Sequence, residues 1–135
     1  MKHEYILTVR STDVDMIGHV NNAKYLEYLE WARFDWLKQH GVTVESFRKW
    51  GIFPVVVNVN INYRKELLFD EEILITSYTK KMNTRSVVAH QIITNQAGDV
   101  IADADLTIVA IDGKKRKAIT LPDDMKTMFE KTIVE

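Results

Sequence analysis

Asp15-Met16-Ile17-Gly18-His19-Val20-Asn21-Asn22 sets an acid, a glycine turn, an imidazole and two amides directly before a long, mostly apolar run. That run opens Ala23-Lys24-Tyr25-Leu26-Glu27-Tyr28 and continues through Glu30, Trp31, Ala32 and Arg33. It reads as a helix, whose first N–H groups and positive dipole end favour negative charge. A carboxylate a few residues upstream is placed to act on a carbonyl whose oxygen faces those N–H groups. The arrangement suits acyl transfer to water.

Each residue also has a plainer reading. Asp15 is a turn or capping residue if the segment is only a loop. As a catalyst it either activates water as a general base or attacks the carbonyl itself. His19 either satisfies backbone groups at the start of the helix or hydrogen-bonds the carbonyl or a water, with an imidazole that titrates near neutrality. Asn21 or Asn22 is the N-cap, and what the terminus offers a substrate is chiefly backbone N–H. Tyr25 and Tyr28 belong to the core or to the wall of an acyl pocket. Asp13 is expected to be solvated or capping.

Other chemistries find little in the chain. It has no cysteine, which removes disulfides, thiolate metal sites and cysteine nucleophiles. His3, His19, His40 and His90 lack metal-ligand spacing, so no metal is expected. There is no Gly-rich phosphate loop and no serine in a Gly-x-Ser-x-Gly context. The net charge of −1 argues against nucleic-acid binding by bulk charge. No segment is long and apolar enough for a signal peptide or a bilayer span, so neither membrane attachment nor export is expected and the cytoplasm is the expected location.

One basic cluster stands out. Lys114-Lys115-Arg116-Lys117 follows the turn pair Asp112-Gly113. It is a solvated turn, or its clustered cations recognise phosphates or an acidic protein partner. Arg64, Lys65 and Arg85 are expected to join Arg116 and Lys117 across a dimer.

The elements must position these groups. At 135 residues, 46% of them hydrophobic, the chain suits one domain, 1–135, with a real core. Tyr5 to Arg10 reads as a strand, followed by a loop from Ser11 to Asn22 and a helix from about Ala23 to His40 that Gly41 stops. Thr43 caps a short helix through Trp50, ended by Gly51 and Pro54. Strands follow at Pro54–Arg64, Glu72–Lys81, Arg85–Asn95 and Val100–Ile111, and a short helix at Pro122–Lys131 closes the chain. In the first of these, Val55, Val57, Val59, Ile61 and Tyr63 are expected on one face, with Val56, Asn58, Asn60 and Asn62 on the other. Short turns between long strands mean an antiparallel meander. The class is α+β, one sheet covered by one principal helix. An exposed edge strand in such a sheet invites pairing with a second copy.

The long helix has one narrow polar stripe, Lys24, Glu27, Asp35 and Lys38, so a curved sheet is expected to enclose it. Trp31 falls inside that stripe, where an indole suits an interface. Arg33 falls on the apolar side and needs a partner. Glu30, three residues earlier, is within reach, and a direct substrate contact is the alternative.

The segment Thr12 to Asn22, with Tyr25, Glu30, Ala32 and Arg33, resembles the hotdog-fold thioesterases, in particular the 4-hydroxybenzoyl-CoA and acyl-CoA branch. The His19-to-Tyr25 run is similar also to acyl-ACP thioesterases. The resemblance implies a hotdog fold, in which an antiparallel sheet wraps a central helix. It implies a homodimer or homotetramer with active sites between subunits, and hydrolysis of an acyl-CoA or acyl-ACP thioester without cofactor. The family's catalytic carboxylate carries over onto Asp15 and its oxyanion-binding N–H onto about Asn22, with His19 as a partial match. One bacterial acyl-CoA branch has histidine at the position of Asn22, and the acyl-ACP branch has asparagine at the position of Ile17. A hydratase on the same fold and a non-catalytic acyl-CoA-binding module are the competing readings. Apolar residues of the helix and of Phe53 to Tyr63 are expected to line an acyl tunnel.

Overall fold

The computed structural model describes residues 2–134. Its strands are β1 (His3–Thr8), β2 (Ile52–Tyr63), β3 (Glu72–Met82), β4 (Ser86–Asn95), β5 (Val100–Asp112) and β6 (Ala118–Ile119). Its α-helices are α1 (Asn22–Gln39), α2 (Val44–Trp50) and α3 (Asp123–Lys131). The strands form one antiparallel sheet in the order β1-β3-β4-β5-β2, with the short β6 beside the end of β5. β6 was not anticipated: two residues are too few to show alternation. β1 begins two residues earlier and ends two residues earlier than expected. No helix among the described residues is long and apolar enough to cross a membrane.

α1 lies on the inner face of this sheet. Tyr25, Tyr28, Leu29 and Ala32 pack against Ile73, Ile75, Ile93, Ala102, Ala104 and Leu106, all buried. A second cluster, around Trp36, Leu37, Val87, Ala110 and Phe129, continues the core toward the far end of the helix. The sheet wrapped around α1 is the hotdog arrangement. The polar stripe of α1 is paired: Lys24 Nζ lies 2.9 Å from Glu27, and Asp35 accepts from His3 Nε2 at 2.7 Å.

β2 departs from the expected alternation. A bulge between Val56 and Asn58 inserts Val57 into its pairing with β5. Pro54 and Val56 therefore share the inner face with Val59, Ile61 and Tyr63, opposite the buried Ala110, Ile108, Leu106, Ala104 and Ala102. Val55 joins Asn58, Asn60 and Asn62 on the outer face. β2 forms one edge of the sheet, is twelve residues long and contains no charged residue.

Candidate active site

A tight hairpin holds the acidic motif. Val14 bridges Val20, the Asp15 N–H donates to the His19 carbonyl at 2.8 Å, and the Asn21 N–H donates to the Asp13 carbonyl at 3.2 Å. Gly18 closes the turn at φ 90°, a left-handed value that glycine adopts without strain. The Asp15 side chain is exposed, and its Oδ1 accepts from the N–H groups of Ile17 (2.9 Å) and His19 (3.1 Å). Those two bonds fix one carboxylate oxygen.

Asn21, not Asn22, is the N-cap of α1: its Oδ1 accepts from Ala23 N–H at 2.9 Å, and its carbonyl accepts from Lys24 N–H. Asn22 is the first helical residue. Its own N–H has no hydrogen-bond partner among the described residues, while its carbonyl accepts from the Tyr63 hydroxyl at 3.3 Å. The start of α1 thus keeps a free donor.

The hairpin packs on the segment 64–71. Val20 N–H donates to Leu67 O at 2.9 Å, and His19 bridges Leu68. The His19 ring reaches Glu66, with Nε2 2.9 Å from Oε2. Glu66 was missed in the sequence, because only the bridge to Leu68 brings it opposite His19.

Asp13 is capping, as one of its two expected readings had it, but not solvated: it is only 4% exposed. Its Oδ2 accepts from the Tyr28 hydroxyl at 2.7 Å and from Arg10 N–H at 3.1 Å. Burial, reinforced by the bond to the Asp13 carboxylate, pushes the Tyr28 phenol far above its ordinary value, so it remains a donor. Tyr28→Phe leaves a buried carboxylate short of a donor. It should lower stability by about 1–3 kcal/mol, read as a lower urea midpoint with an unchanged m value.

Tyr25 is core. It is buried against Tyr28 and Tyr63, with ring centroids 6.5 and 5.1 Å away. Burial is also the main reason its phenol is raised above the ordinary value. Trp31 is half-buried and covered within the chain: it packs on Tyr28, and the Arg10 guanidinium lies 5.5 Å from its ring.

Arg33 also differs from expectation. It makes no ion pair with Glu30; its Nη1 donates instead to Gln91 Oε1 at 3.1 Å. Gln91 is fully buried, and its Nε2 donates to Leu29 O (3.1 Å) and Ser77 Oγ (2.9 Å). Burial, opposed by the Glu30 charge, brings the Arg33 guanidinium down to about 10, so it stays charged at neutral pH. Gln91 was missed, although a signal existed: it occupies the inward phase of β4 between Ala89 and Ile93.

A groove runs between α1 and β2. Its first compartment, about 250 Å³, is bounded by Leu26, Val59 and Leu106, and its second, about 330 Å³, by Trp36, Leu37, Pro54 and Phe129. Glu30, Arg33 and Val56 line both. From Leu26 to Leu37 the groove follows the helix for about 17 Å, at ~1.5 Å per residue.

The expected cation group divides between opposite ends of the sheet. Arg64 lies at the Asp15 end, where its Nε is bonded to Asp103, and Lys65 lies 3.1 Å from Asp99. The Arg64 bond is the main reason the Asp103 carboxyl is held below the usual range. Arg85, Arg116 and Lys117 lie at the other end, about 35 Å along β5 at ~3.3 Å per residue. Ser86, the residue after Arg85, pairs with Val109, and the turn 113–117 caps β5. That turn is held by Asp112, whose Oδ1 accepts from Lys114 and Lys115 N–H at 2.9 Å, which lowers its pKa. The side chains of Arg85, Lys114, Lys115, Arg116 and Lys117 are exposed and make no ion pair among the described residues.

Comparison with known proteins agrees with this architecture. Residues 9–129 match the family model of the thioesterase-like superfamily. The long-chain acyl-CoA thioesterase FadM of Escherichia coli is 38% identical over 94% of this chain and 96% of its own. The crystal structure of YbaW, a probable thioesterase from Escherichia coli, superposes with a TM-score of 0.84 at 37% identity, covering 98% of this chain and 99% of that one. The Staphylococcus aureus protein SAV2348, solved in complex with CoA, shares the fold at a TM-score of 0.92 and 15% identity, over 100% of this chain and 87% of its own. With its sheet wrapped around α1 and a family match spanning almost its full length, the chain belongs to the thioesterase-like superfamily and has the hotdog fold.

Proposed function

We propose that this thioester hydrolase cleaves long-chain acyl-CoA, with Asp15 as the catalytic carboxylate. The observation that carries this reading is the groove, which begins one turn from the start of α1 and follows the helix for about 17 Å. A thioester carbonyl at the groove mouth points its oxygen at the free Asn22 N–H, where donor and helix dipole stabilise the developing oxyanion. The second Asp15 oxygen, outside the hairpin bonds, either takes a proton from water or attacks the carbonyl carbon. In the first case that water adds to the carbonyl carbon, the carbon–sulfur bond breaks, and the proton taken by Asp15 passes to the CoA thiolate. In the second, the thiolate leaves a mixed anhydride with Asp15, which water hydrolyses to the free acid and the regenerated carboxylate. Glu66 holds the His19 ring through its contact with Nε2. The long-chain activity of FadM supports the choice of acyl group.

The working unit is a homodimer. Its two β2 edges pair antiparallel, because β2 is long and uncharged whereas the other edge strand, β1, has six residues and carries Glu4. Antiparallel pairing sets the Ile52 end of one β2 beside the Tyr63 end of the other. The unpaired cations Arg85, Arg116 and Lys117 of one subunit then approach the Asp15 end of its partner, where they meet the phosphates of CoA.

Thiol release from a panel of acyl-CoAs, from acetyl to octadecanoyl, tests this reading. Long chains should give the highest kcat/KM, and the double charge reversal Arg116→Glu, Lys117→Glu should raise KM far more than it lowers kcat. An unchanged KM removes the basic turn from the site. Turnover of acyl-ACP but not acyl-CoA replaces the nucleotide with an acidic carrier protein, and binding without turnover reduces the protein to a binding module.

A further inference from the structure

The groove contains hydrogen-bond donors that a plain hydrocarbon chain would leave unmet. Arg33 stands where the two compartments meet. Gln91 takes one of its donors and is itself fully committed to Leu29 and Ser77, so the guanidinium is fixed in place. The remaining guanidinium donors have no partner among the described residues. Covering such donors with methylenes is unfavourable, whereas an acceptor oxygen satisfies them.

Glu30 narrows the choice of oxygen. It too lines both compartments, and it adds an acceptor and a negative charge. A carboxylate on the acyl chain would be repelled by it, and a keto oxygen would offer it no proton. A hydroxyl does both jobs: it accepts from Arg33 and donates to Glu30. Arg33 is eleven residues beyond Asn22 on α1, about 17 Å at ~1.5 Å per residue. An extended chain of ~1.5 Å bonds advances roughly 1.25 Å per carbon and covers that distance in about 13 carbons.

We infer that the groove selects long acyl chains bearing a hydroxyl about thirteen carbons from the thioester, with Arg33 and Glu30 as specificity-determining residues. The inference rests on the long-chain acyl-CoA reading above. It predicts a preference that a purely apolar groove lacks.

The test compares thiol release from octadecanoyl-CoA and 13-hydroxyoctadecanoyl-CoA, equal in length and differing in one oxygen. Wild type should favour the hydroxylated ester in kcat/KM by about tenfold or more, since a site built to bond a hydroxyl rejects the analogue lacking it. Glu30→Met, which removes the acceptor, and Arg33→Met, which keeps length but removes the charge, should each move the ratio toward one. A wild-type ratio near one, with both esters turned over, overturns the inference and leaves the long-chain reading standing. Release from short esters alone overturns both. If Arg33→Met dissociates the protein on sedimentation while the ratio holds in both variants, a second copy satisfies the guanidinium and the inference falls.

Discussion

Replacing Asp15 by asparagine is expected to lower kcat for acyl-CoA hydrolysis by about two to four orders of magnitude, the usual contribution of a positioned acid–base group. The substitution is unusually clean here. Oδ1 accepts from the N–H groups of Ile17 and His19, and the amide oxygen of asparagine can accept both bonds. The hairpin therefore keeps its shape while the second oxygen loses its basicity and nucleophilicity. Asp15→Ala lacks that control, because it removes the hairpin bonds together with the chemistry. Thiol release and thermal unfolding measured on the same preparation separate the outcomes. Equal rates in wild type and Asp15→Asn would make Asp15 a turn residue and move the chemistry elsewhere.

The second large effect is expected at the β2 edge. Placing lysines at Val55 and Val57 puts charge on a strand that has none, a device that blocks edge-to-edge pairing. Both side chains are exposed in the protomer, so the fold should tolerate the change. Sedimentation should then show monomers, and kcat/KM should fall more than a hundredfold. The reason is geometric: Arg116 and Lys117 lie at the opposite end of the same chain from Asp15, and in the proposed dimer a second subunit supplies them to the CoA phosphates. A monomeric variant with full activity would confine the whole site to one protomer. A wild type already monomeric at assay concentration would remove the pairing itself.

Local rules accounted for most of the fold. The helix expected from about Ala23 to His40 is found at Asn22–Gln39, and Thr43 caps the short helix through Ser46, as Gly51 ends it at φ 67°. These features depend on neighbours in sequence. What escaped depends on distant partners or on a pattern without phase. Val55-Val56-Val57 reads equally well in either alternation, so nothing in it marks the bulge. Asp13 looks like any loop aspartate until Tyr28, fifteen residues on, closes over it. Arg33 signalled a need for a partner, and the nearest acid in sequence was Glu30. The partner is Gln91, delivered by the register of β3 and β4, which sets it beside Ser77. In the site, the acid and the helix start were legible from one segment. The Glu66 contact and the division of the cations were not, because strand order decides both.

The sheet order also has a temporal consequence. β3, β4 and β5 are successive hairpins whose pairings close through short turns, whereas β1 must find β3 from position 5 to position 75 and β2 must find β5 from position 56 to position 108. Closing long loops costs more chain entropy than closing short ones, so the meander is the natural nucleus and the two outer strands dock late. The groove needs β2, and the acidic hairpin hangs from the end of β1. The groove and the acidic hairpin are thus the last to assemble as the chain folds, and the first to open when it breathes.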